Sequence, residues 1–138
     1  MMTDEDRIAV VAYRMENARR TLDEVTFHIK QGFYNTAMNR MYYACFYAVS
    51  ALLVNEGIET KTHAGVRQML GMHFVRTGKF PIPLSKFYTD LFDNRQIGDY
   101  EDFIYFDEET TSALYPQALE LVETIESCLL YTSDAADE

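Results

Sequence analysis

Cysteine is scarce in this chain: Cys45 and Cys128 stand far apart, and neither has a second cysteine nearby. A disulfide framework or a thiolate zinc site needs more sulfur than that. Cys45, set in an apolar stretch, reads as a buried free thiol. Long apolar runs are missing too. None reaches the roughly 18 residues that a membrane crossing requires. The opening residues, Met1-Met2-Thr3-Asp4-Glu5-Asp6, are acidic, whereas a signal peptide begins basic. The expectation is a cytoplasmic protein with no membrane segment. No strand alternation, internal repeat or low-complexity block stands out, and no residue cluster suggests a metal or another cofactor.

Acidic residues are absent from one long stretch. The chain holds 22 acids against 12 lysines and arginines, yet Thr60 to Thr89 contains no acid at all. That stretch carries Lys61, Arg67, Arg76, Lys79 and Lys86, together with His63 and His73. From Asp90 onward Arg95 is the only basic side chain. A net charge of −10 opposes non-specific coating of nucleic acid, but a local basic segment can still hold a phosphate.

What is present fits one domain with one core: 138 residues, 48% of them apolar and 25% charged. Thr3 can cap a first helix whose opening acids suit the macrodipole. Ile8, Val11, Met15, Ala18, Leu22, Val25 and Ile29 then recur at three- and four-residue steps and form one apolar face, ending near Gly32. Phe33 to Asn55 is apolar almost all round, which predicts a central helix. A third helix follows Thr60-Lys61-Thr62-His63 and ends at Gly78. Pro81 and Pro83 exclude helix before Ser85, where a fourth helix begins and runs to about Gly98. Asp99-Tyr100-Glu101-Asp102 starts an acidic loop. Asp107 to Thr110 opens a last helix toward Leu130, which Pro116 should kink or restart. The fold class is therefore all-α, an up-and-down bundle of four to five helices. The last eleven residues, Cys128 to Glu138, resemble a translated sequencing adapter. The domain is placed at residues 1–127, and 128–138 is set aside as an adapter-derived or disordered tail.

The central helix reads Ala37-Met38-Asn39-Arg40-Met41-Tyr42-Tyr43-Ala44-Cys45-Phe46-Tyr47-Ala48, and Lys61-Thr62-His63-Ala64-Gly65-Val66-Arg67 follows. Phe74-Val75-Arg76-Thr77-Gly78 and Leu91-Phe92-Asp93-Asn94-Arg95…Asp99-Tyr100 come later. Taken in this order, from about Asp6 to Ser127, these segments resemble the HEPN domain family. The likeness is to the stand-alone subgroup encoded beside minimal nucleotidyltransferases. The resemblance implies a helical bundle that dimerises and a toxin–antitoxin role with a nucleotidyltransferase antitoxin as partner. It also implies a metal-independent ribonuclease motif, an Arg followed after four to six residues by a His, paired across the dimer.

Here the chain departs from the pattern. Arg40 takes the arginine position, but the residues that follow four, five or six intervening residues are Cys45, Phe46 and Tyr47. Cleavage without metal needs a base for the 2′-hydroxyl and a cation for the phosphate. Arginine supplies the cation through its fork of donors. Tyrosine, with a reference pKa of about 10, is a poor base at neutral pH. Seven positions make almost two turns, about 10.5 Å of rise, so Arg40 and Tyr47 face one way with Tyr43 between them. His63 is the candidate substitute base, and Tyr43, Lys61 and Arg67 are candidate binding residues beside Arg40. His28 and His73 read as structural or solvent-facing. Asp99 or an acid from a second subunit is the expected partner of Arg40, and Arg95 and Asp99 are spaced to pair along a helix.

Three readings follow. The first is a degenerate HEPN protein of a toxin–antitoxin-like system that binds nucleotide, RNA or a nucleotidyltransferase. The second is an active endoribonuclease toxin using Arg40 with His63. The third is a purely structural helical dimer.

Overall fold

The computed structural model describes residues 2–100 and 106–137, with side chains at 2–94 and 106–129. Thr3 caps α1 (Asp4–Lys30) in a reciprocal box: its hydroxyl accepts from the Asp6 N–H at 3.0 Å, and the Asp6 carboxylate accepts from the Thr3 N–H at 3.4 Å. Met15, Ala18, Thr21, Leu22 and Val25 are the buried positions of α1, at the three- and four-residue steps of one helix face. The chain reverses at Gly32, whose φ of 82° is the left-handed geometry that ends a helix without a Cβ clash.

The return helix, α2 (Tyr34–Asn55), is the centre of the molecule, with more than half its residues buried. Ala37, Ala44, Ala48 and Ala51 are fully buried, and their small side chains let neighbouring helices come close. α1 packs along one side as an antiparallel hairpin, and α5 (Glu108–Asp137) lies against both. Arg19 of α1 grips Glu126 of α5 with two N–H donors, and the Phe106 N–H donates to Asn35 Oδ1 at 3.0 Å, tying the start of α5 to the start of α2. α3 (His63–Leu70) and α4 (Ile82–Tyr100) cover the remaining side of α2. Among the described residues every element is helical, and no helix is long and apolar enough to cross a membrane.

Three boundaries differ from the sequence expectation. α3 continues into a widened π-helical turn, Gly71–Val75, that keeps Leu70 and Phe74 buried while Met72 and His73 face outward. α4 begins at Ile82, not Ser85, and runs on to Tyr100. Pro83 falls in its first turn, where the missing N–H would have had no intrahelical partner. α5 neither ends nor restarts at Pro116. Pro116 and Ser112 are both exposed, so the carbonyl that the proline leaves unpaired meets water. Asp107 caps this helix through a 2.8 Å bond from the Thr110 N–H, which holds its carboxyl below the usual range.

Candidate functional site

Tyr43 is the hub of the site. The Arg40 guanidinium carbon lies 5.3 Å from the centre of its ring, within cation–π range. The Tyr47 ring is tilted against it one turn further along α2, at 6.1 Å. The His63 ring, at the start of α3, meets it edge to face at 5.8 Å. Arg40, Tyr43, Tyr47 and His63 therefore share one partly exposed surface, all four half-buried. The sequence reading placed the first three together from helix periodicity; the fold adds His63 from 16 positions beyond Tyr47.

The Arg40 partner is Glu24 of α1, with Nη1 to Oε2 at 3.9 Å. That separation is too long for a hydrogen bond, and both side chains reach solvent, at 30% and 46% exposure, so the pair is weak. Buried beneath, Arg40 Nε makes no hydrogen bond. An arginine left so loosely tied can swing its fork of donors onto an anion. Asp99, the sequence candidate for this pairing, and its expected partner Arg95 lie outside the described side chains.

His63 is held from the core side. Its Nδ1 is 2.7 Å from the hydroxyl of Tyr42, a residue with no exposed surface, and its ring stacks on Phe46 at 4.2 Å. Tyr42 in turn stacks on Tyr88 at 5.9 Å and tilts against Phe92 at 6.2 Å. Burial pushes the Tyr88 phenol well above its usual range, and the Tyr42 phenol adds to that effect. Burial likewise raises the thiol of Cys45, so the free thiol expected there is buried and unreactive.

Lys61 is exposed just before α3 and makes no ion pair among the described residues. Arg67 is engaged elsewhere: it stacks over Phe92 at 4.5 Å and approaches Asp93 at 3.7 Å. It braces α3 on α4, and none of its described contacts reaches Arg40. Of the other histidines, His73 is exposed and His28 sits half-buried between Phe27 and Phe33. No group of three or more metal-ligating side chains occurs among the described residues.

Thr62 fixes the entry of α3, accepting from the Gly65 N–H at 2.9 Å. Thr62→Ala is expected to cost about 1 kcal/mol, the ordinary value of an N-cap, read as a lower urea midpoint at unchanged slope. The sequence pattern assigns Tyr42 to packing, as a tyrosine on an otherwise apolar helix whose hydroxyl must find a partner when buried, and the fold supplies His63 as that partner.

The comparisons agree with this architecture. The HEPN domain model matches residues 11–128, so the chain belongs to the HEPN family. It is 35% identical over 128 residues to a UPF0332 protein of Thermotoga maritima, covering 93% of this chain and 96% of that one. It is 30% identical over 115 residues to the Methanocaldococcus jannaschii protein named "Putative toxin MJ0605", covering 83% of this chain and 85% of that one. Among solved structures, ST0689, an archaeal HEPN homologue, superposes with a TM-score of 0.69 at 20% identity, over 85% of this chain and 95% of that one. At that identity the match speaks for the fold.

Proposed function

We propose that this protein is a HEPN member of a toxin–antitoxin-like system whose Arg40 site binds the phosphates of RNA or a nucleotide without efficient cleavage. The observation that carries the reading is Arg40 itself: half-exposed, stacked on Tyr43, and restrained by one long contact to Glu24. Tyr43 and Tyr47 offer ring faces for bases beside that cation. Tyr47 stands where the family motif has histidine, so the site holds a phosphate but has no proton acceptor at that position. The names of the toxin-like relatives support the biological setting. In this reading residues 1–127 form the domain, the protein is cytoplasmic, two copies pair their sites, and a minimal nucleotidyltransferase is the antitoxin.

The test is binding of a labelled oligoribonucleotide in EDTA. Arg40→Ala is expected to weaken it by about 10- to 100-fold, the worth of hydrogen bonds to a charged group. Unchanged affinity would overturn the reading. Arg40-dependent cleavage by the natural chain would reinstate the ribonuclease with His63 as base. Growth arrest on expression, relieved by a neighbouring nucleotidyltransferase gene, is the expected cellular result.

A further inference from the structure

We infer that Arg14 is a second phosphate-binding residue of the Arg40 site, which is therefore shaped for a single RNA strand of several nucleotides, gripped at two phosphates, rather than for a lone nucleotide. The inference rests on the reading above and names the ligand of that same site.

Two contacts tie α1 to α2 along one seam. Glu24 approaches Arg40 at 3.9 Å, and Arg14 Nη1 donates to the Ser50 hydroxyl. Ten positions separate Arg14 from Glu24 on α1, and ten separate Arg40 from Ser50 on α2, in the opposite order that an antiparallel pair requires. Ten residues of helix rise about 15 Å, more than one phosphate can span. Steps of three, four and three residues lead from Arg40 through Tyr43 and Tyr47 to Ser50, on one face of α2. α1 runs along one side of that face, and His63 at the start of α3 meets Tyr43 on the other. α1 and α3 do not pack against each other among the described residues. The strip of α2 between them stays open, with Tyr43 and Tyr47 partly exposed on it.

The surroundings of Arg14 leave its charge uncancelled. Ser50 is buried, so its hydroxyl is a fixed anchor for one corner of the guanidinium. Serine is neutral and orients the fork of donors without neutralising it. No carboxylate comes within ion-pair distance of Arg14 among the described residues. Its other two nitrogens make no hydrogen bond there and are not sealed from solvent. Arg19, which braces α1 on α5, is instead neutralised by Glu126. Arg40 has Glu24 beside it and its Nε buried, so Arg14 is the more open cation of the two. A phosphate arriving at Arg14 displaces no carboxylate and meets donors suited to it.

The experiment measures the full chain in EDTA against a labelled single-stranded hexauridylate and against uridine monophosphate, over a range of salt. Arg14→Gln keeps a polar side chain beside Ser50 and is expected to leave the urea midpoint close to that of the natural chain. Its affinity for the hexauridylate should fall about tenfold, the order of a hydrogen bond to a charged group. The slope of log affinity against log salt should shrink by about 0.7, the share of one single-strand phosphate contact. Its affinity for uridine monophosphate, which Arg40 holds alone, should not change. Arg14→Lys keeps the charge and should keep the natural slope, whereas Arg40→Ala should weaken both probes. Unchanged hexauridylate affinity and slope in Arg14→Gln, while Arg40→Ala loses binding, overturns the role of Arg14 and leaves the Arg40 site standing. An equal loss for both probes with a lowered urea midpoint overturns it too, since a helix brace would act that way. Binding that does not depend on Arg40 overturns the reading above and this inference with it.

Discussion

Tyr47→His is expected to give this protein the activity of a metal-independent ribonuclease. A positioned general base contributes about 10²–10⁴-fold to proton-transfer catalysis, so cleavage of RNA in EDTA should rise by at least the lower figure over the natural chain. The substitution is cheap in structural terms. Tyr47 is half-buried on the rim of the bundle and leans on Tyr43 at 6.1 Å, so a smaller ring there leaves no sealed cavity. The imidazole would stand two turns from Arg40 on the same face of α2, restoring the cation and base that the family motif pairs. Its pKa near neutrality supplies the proton acceptor that a phenol cannot. Activity should vanish in the Arg40→Ala, Tyr47→His double variant, because the phosphate is then unheld. A folded Tyr47→His protein with no gain in cleavage would show that Arg40 and position 47 do not converge on one phosphodiester.

Leu22→Ala is expected to lower the unfolding free energy by about 2–5 kcal/mol, a large share of what a small domain possesses. Leu22 is 1% exposed on the buried face of α1. Alanine would leave a cavity beside two long antiparallel helices that are held together by many other contacts and cannot close over it. Urea unfolding followed by circular dichroism measures the loss. A change under 1 kcal/mol would mean that the hairpin shifts to fill the space. Ile8 lies on the same apolar stripe but is 67% exposed, so Ile8→Ala is the control that should change little.

These two residues show how far periodicity reaches. The step of three and four residues from Ile8 to Ile29 marked a face, and the helix and its capping box formed where Thr3 and the first acids indicated. The same pattern could not tell that the stripe is buried from Met15 to Val25 and open at Ile8, because burial depends on which helix lies alongside. Proline chemistry was legible only in part. Pro83 excludes an interior helical position but not a first turn, and Pro116 costs one hydrogen bond that solvent replaces on the exposed side of α5.

The amino-acid order alone determined the helical class, the apolar central helix, the family likeness, the alignment of Arg40, Tyr43 and Tyr47, and the missing histidine. All of these are local facts, set by a repeat of 3.6 residues and by side-chain identity. Only the tertiary structure decided that Glu24 is the partner of Arg40, that Arg67 turns to Phe92 and Asp93, and that Tyr42 holds His63. Each of those pairs joins different helices. Nothing in the spacing along one helix specifies which side chain of another comes to rest against it, since that is fixed by how α1, α3 and α4 pack around α2.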